Sequence, residues 1–201
     1  MNTEDGNKTG LVPSQGSALS RSAVTSLIRR GAQDLIAKDG AEQWLKKGQE
    51  FASLQKHDEA FACFMRGIEL NPRHSELLCH LADAYHMGYG VLEDEVKAVA
   101  LYRQAAEEGN VEGLECVGLH YACGYGVPQN YLEATKWWRM AAEQGNAGAQ
   151  LLLAAYYENG LGVPKDCEQA VYWYRKAADQ GDRQSREALD RILSKTEGAE
   201  R

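Results

Sequence analysis

The chain is predicted to be all-α, a solenoid of stacked helix pairs. Two observations carry that prediction. Residues 75–110, 111–146 and 147–182 superpose as three gap-free copies of a 36-residue unit, and inside each copy the apolar residues fall at helical spacing. A third observation bounds it: of 201 residues 44% are hydrophobic and 25% charged, a globular composition. No run of 18 apolar residues is present, so no membrane-spanning helix is expected.

The elements follow in order. Residues 1–21 are polar and lack the apolar core of a signal peptide, so a disordered tail and a cytoplasmic protein are expected. Val24, Leu27, Ile28, Leu35 and Ile36 make an apolar stripe, predicting a capping helix over 22–40. A related unit of 34 residues occupies 41–74. In the three longer copies Tyr85, Tyr121 and Tyr157 share a column, as do Gly88, Gly124 and Gly160, and then Gly90, Gly126 and Gly162. The glycine pairs supply the positive φ of a tight helix-to-helix turn. Asp94, Asn130 and Asp166 are N-caps of each second helix, and Gly109, Gly145 and Gly181 mark its left-handed end. The aromatics Trp137-Trp138 and Trp173-Tyr174, opposite Leu101-Tyr102, are expected in the core, with an Ala-Ala pair after each where helices approach closely. Ala188, Leu189, Ile192 and Leu193 predict a C-terminal capping helix over 183–195, and 196–201 a disordered tail.

Trp44, Gly48, Phe51, Ala60, Phe64 and Pro72 match the tetratricopeptide pattern, with Lys47 where Leu is usual. The Gly-x-Gly-Val, N-cap and Ala-Ala-x-x-Gly columns of 75–182 resemble the Sel-one-like repeat family, a helical-repeat relative of the tetratricopeptide. The resemblance implies a right-handed α/α solenoid of one tetratricopeptide-like and three Sel-one-like repeats. It also implies that the first helix of each pair lines a concave groove. Carried onto this chain, the groove set includes Glu42, Glu76, Cys79, Asp83, His86, Glu112, Glu115, Leu119 and Glu158. The acids in it face no Lys or Arg at the groove positions, so the lysine-rich clamp of some tetratricopeptide grooves is absent.

Three kinds of chemistry compete with this reading. Ser53-x-x-Lys56 and Lys8-Thr9-Gly10 match fragments of serine β-lactamase signatures, and the Sel-one-like family is sometimes linked to β-lactam binding. Here, however, the Lys-Thr-Gly precedes the serine and no Ser-Asp-Asn exists. Cys116 and His120 lie four apart on one helix, with His80 in the column of Cys116, a set that converges only if stacked repeats bring it together. The columns elsewhere hold Leu152, Ala84 and Tyr156, as packing positions do, and no metal or other cofactor is expected. Cys63, Cys79, Cys116, Cys123 and Cys167 are an odd set in no common column pair, which predicts thiols.

Charge narrows the partner. The chain carries a formal −7, which disfavours nucleic acid. Copy 75–110 alone has seven acids against two bases, a net −5, a landing site for a basic segment. The function expected from sequence is therefore a non-enzymatic scaffold or adaptor that binds a protein or peptide. The alternative is a β-lactam-binding or hydrolytic enzyme built on Ser53 and Lys56.

Overall fold

The computed structural model describes residues 39–199, with side chains to 194, all within one compact unit spanning Ala37–Arg201. The expected N-terminal tail and most of the 22–40 helix lie outside the described residues. Among those described the chain is wholly helical. It runs through α1 (39–53), α2 (His57–Leu70), α3 (Ser75–Met87), α4 (Glu95–Glu107) and α5 (Val111–Cys123). It continues through α6 (Tyr131–Glu143), α7 (Ala147–Asn159), α8 (Cys167–Asp179) and α9 (Arg183–Ala199). α1–α2 form the 34-residue unit, and the next three pairs are the three 36-residue copies. α9 runs on to Ala199, through most of the segment expected as a tail. No proline interrupts the helical ladder there, and Gly198 falls only in its last turn.

From α2 to α9 each helix packs on its neighbours in sequence, and α3 also touches α5; Ala41 and Leu45 of α1 share a buried cluster with Ala60 and Phe64 of α2. Caps mark the helix ends in the three 36-residue copies. Asp94, Asn130 and Asp166 each accept a hydrogen bond from the backbone N–H three residues on, at 3.0, 3.1 and 3.0 Å. The first helices are capped the same way, by His74, Asn110 and Asn146. Gly88, Gly124 and Gly160 close those helices in the left-handed region. The second glycine of each pair is fixed for a different reason. A Cβ on Gly90, Gly126 or Gly162 would stand 2.4, 2.2 or 2.3 Å from backbone atoms of His57, Glu95 or Tyr131. Each turn thus sits directly on the start of the second helix of the preceding pair. The shorter α1–α2 turn lacks this glycine pair and places Gln55 at φ 61 instead.

The core follows the repeat columns. Ala98, Ala134 and Ala170 are fully buried, as are Ala105, Ala141 and Ala177. Tyr102, Trp138 and Tyr174 are 2%, 1% and 3% exposed and form the deepest aromatic column. Trp138 lies edge-on to Tyr156 with ring centres 4.8 Å apart. Its ring comes so close to α5 that a Cβ on Gly118 would be 2.5 Å from it. Gly48 sits under Phe64 in the same way, which is why a small residue occupies that place in both units. Trp173 is buried and Trp137 half-buried; Trp137 packs on two of the three apolar clusters and so ties the first 36-residue copy to the second.

Candidate functional site

The odd-numbered helices are linked to one another by side chains on one side. Gln49 of α1 donates from Nε2 to Glu76 Oε1 of α3 at 3.0 Å and stands 3.1 Å from His80 Nε2. Glu42 lies 3.2 Å from His74, the cap of α3. Cys79 donates from Sγ to Asn110 Oδ1, the cap of α5, at 3.3 Å. Asn146, the cap of α7, donates from Nδ2 to Glu115 Oε2 at 2.8 Å. One column of the first helix thus reaches the cap of the next repeat twice in succession.

On this side four acids of α3 and α5 share one electrostatic environment. The Glu112 carboxyl is held above its ordinary value, first by the partial desolvation of a residue that stays largely exposed and then by Asp83; His80 opposes, and Glu115 and Glu76 add to the rise. The Cys116 thiol is pushed up to about 12 by burial and then by Asp83, Glu112 and Glu115, against a hydrogen bond with Tyr102. Cys79 is pushed up by burial and then by Glu112, with Cys116, Asp83 and Glu76 adding to it. Both thiols are therefore poor nucleophiles at neutral pH, and all five cysteines are unpaired in the structure.

The residues assigned to the groove from sequence occupy varied settings. Glu42, Glu76, Glu112 and Leu119 are exposed. Asp83 and Glu115 are half-buried, and Asp83 accepts a hydrogen bond from the Tyr102 hydroxyl. Glu158 is paired with Arg191 of α9 at 2.8 Å and accepts from the Tyr174 hydroxyl at 3.0 Å. Cys79 is buried. His86 is half-buried and turns to Glu95, with Nδ1 2.8 Å from Oε1. A cavity of about 200 Å³ that sequence reasoning did not anticipate adjoins the acids, lined in part by Ala52, Phe61, Phe64, His80, Asp83 and Tyr89. Asp83 belongs both to its wall and to the acidic group.

Neither of the other candidate chemistries is assembled among the described residues. Ser53 Oγ donates to the carbonyl of Glu50 in its own helix at 2.8 Å. The Lys56 ammonium lies 5.9 Å from the centre of the Phe51 ring. His80 stacks on Phe64 with ring centres 4.8 Å apart, whereas His120 faces the Tyr125 carbonyl at 3.1 Å and Glu95 at 3.6 Å. Burial holds His120 below its ordinary value; the Tyr125 carbonyl and Glu95 oppose this, and His86 adds to it. One group of three residues with metal-ligating atoms within 4.8 Å of one another does occur among the described residues: His86, Glu95 and His120. None of the three stands in a repeated column: their equivalents are Ala122 and Glu158, Tyr131 and Cys167, and Ala84 and Tyr156, so the repeat carried no signal for them.

A stack of capped helix pairs joined by Gly-x-Gly turns defines a helical-repeat protein, and the comparisons say which kind. The Sel1 repeat model matches residues 75–110, 117–146 and 147–182. The chain belongs to the Sel1 repeat family. It is similar to c5321, a protective antigen present in uropathogenic Escherichia coli strains and displaying an SLR fold. That match has 30% identity and a TM-score of 0.74, over 83% of this chain and 36% of that one. It is also similar to a Sel1 repeat protein from Oxalobacter formigenes, at 27% identity and TM-score 0.68, over 74% of this chain and 60% of that one. The chain thus spans about a third of the first protein and three fifths of the second. Cysteine rich protein B of Helicobacter pylori shares the fold at 20% identity and TM-score 0.51, over 63% of this chain and 94% of that one. No curated protein matches. Sel1 repeat proteins are commonly protein-interaction scaffolds. No helix of the described residues is long and apolar enough to cross a membrane.

Proposed function

We propose that this chain is a non-enzymatic scaffold that binds a protein segment along the odd-numbered helices, and that the segment carries Lys or Arg next to an apolar side chain. The observation that carries the reading is the position of Asp83, shared by the group Glu76, Asp83, Glu112 and Glu115 and by the wall of the aromatic-lined cavity. The cavity accepts the apolar anchor while the carboxylates face the neighbouring cation. Such anchors in desolvated pockets supply most of the affinity in protein recognition. The exposed charges contribute less to affinity than to steering and specificity. The odd, unpaired set of cysteines fits a reducing compartment, and a cytoplasmic location goes with the proposal.

The test uses the full chain and a set of fluorescent peptides that pair an aromatic or aliphatic residue with Lys/Arg, with acidic counterparts of equal length as controls. The basic peptides should bind selectively and weaken as salt is raised. Glu112→Lys with Glu115→Lys should lower their on-rate and flatten the salt dependence while the far-ultraviolet spectrum stays helical. Equal binding of both peptide sets, or an on-rate unmoved by the double reversal, would remove the acids from the binding surface.

A further inference from the structure

Beyond this groove, we propose that His86, Glu95 and His120 form a structural site for a divalent transition-metal cation of the zinc type, clamping the first 36-residue copy to the second. The three come from three successive helices: His86 from the last turn of α3, Glu95 from the first turn of α4, and His120 from the last turn of α5. His86 Nδ1 lies 2.8 and 2.9 Å from the two Glu95 oxygens. His120 Nδ1 lies 3.6 Å from Glu95 Oε2. Ligands about 2.0–2.2 Å from a tetrahedral zinc are about 3.3 Å from one another; both contacts with Glu95 lie near that spacing, and the two imidazole nitrogens, within 4.8 Å of each other, close on the ion by rotation of the rings. Two imidazoles and a carboxylate are also the donor set that borderline divalent cations prefer. The site is sheltered, with side-chain exposures of 24% for His86, 23% for Glu95 and 2% for His120. The carbonyl of Tyr125, 3.1 Å from His120 Nδ1, or solvent completes the shell.

The repeat itself supplies the argument that packing does not require these residues. One repeat further along, the same three places hold Ala122, Tyr131 and Tyr156. There the junction is closed by the two tyrosine rings, edge to face at 5.7 Å. The fold thus has an apolar solution to this corner and uses it at the next junction. At the first junction the same three places, on three separate helices, hold two imidazoles and a carboxylate instead, and these meet at one point. The second imidazole, almost wholly buried, has the Tyr125 carbonyl and the Glu95 carboxylate beside the same Nδ1, two acceptors that a cation bound at that nitrogen would gather.

The experiment is a titration of the chelator-treated full chain with Zn²⁺, read by calorimetry and by the shift in melting temperature, with Co²⁺ absorption as a check on nitrogen–oxygen coordination. The wild-type chain should bind one Zn²⁺ and melt at a higher temperature with it. Glu95→Gln should weaken Zn²⁺ at least about 100-fold, since losing partners one shell further out already costs 10–100-fold. The combined variant His86→Ala, Glu95→Tyr and His120→Tyr copies the next junction, and should stay helical while losing both the binding and the melting shift. Cys123→Ser with Cys167→Ser, which removes the exposed thiols, should change neither. The proposal is overturned if the wild-type chain takes up no Zn²⁺, or if Glu95→Gln binds it as tightly as the wild type.

Discussion

The backbone carbonyl of Glu95 occupies the place a side chain on Gly126 would need: a Cβ there would stand 2.2 Å from that oxygen. Gly126 also has φ 65. Two penalties therefore fall on any substitution, the left-handed backbone and a clash with backbone that cannot rotate away. Gly145, at φ 94 with nothing within 4 Å of a built Cβ, carries only the first. Gly145→Ala should cost about 1–2 kcal/mol, and Gly126→Ala clearly more, because it also pushes the turn off α4. Urea unfolding of the two variants side by side checks the order; equal losses would mean that the turn does not rest on Glu95.

The aromatic columns separate in the same way. Trp138 is 1% exposed and presses on Gly118, so Trp138→Ala should cost about 3–5 kcal/mol. Trp137 is half-buried and bridges two clusters. Trp137→Ala should cost less and act on cooperativity, because in a solenoid the interface between repeats couples their unfolding. A reduced slope of the denaturation curve for Trp137→Ala, with Trp138→Ala shifting mainly the midpoint, is the expected result.

What could be read in the sequence was what repeats. The Gly88–Gly90 turn, the Asp94 cap and the buried Ala98 occur three times each in register, and each copy strengthens the reading of the others. The site lies in what does not repeat. Glu76 and Glu112 share a column whose third member is Gly148, and Asp83 shares its column with Leu119 and Ala155. Helical positions alone place such residues on the groove side without saying what they touch. The column of Cys79 points to the groove, yet the residue is buried under the Asn110 cap. His86, from a groove column, is drawn to Glu95 across the Gly88–Gly90 turn, whose course is set by the packing of Gly90 on His57 of α2. The cavity beside Asp83 is formed by three helices, and no single stretch of sequence encodes it.

Glu112 offers a test of the acidic surface that needs no partner. Its carboxyl is raised above the ordinary 4.5 by partial desolvation and by Asp83, Glu115 and Glu76, with only His80 opposing. As a first-turn acid of α5 it also gains from the helix dipole, so the rise means that desolvation and repulsion outweigh that gain. The sign follows from linkage: between the unfolded and the higher folded value the native state holds the proton more tightly, so stability falls as pH rises through that window. Below it both states are protonated and the penalty is absent. Glu112→Gln should therefore be more stable than the wild type at neutral pH, with the difference vanishing under about pH 4 and shrinking in high salt because the site is exposed. Glu168→Gln, which removes the first-turn acid of α8, controls for the lost dipole interaction and should not stabilise. Thermal melts of the three chains from pH 3 to 8 decide it. If Glu112→Gln is destabilised at neutral pH as much as Glu168→Gln, the acids of α3 and α5 do not repel one another, and the surface loses the unpaired negative charge on which recognition of a basic segment depends.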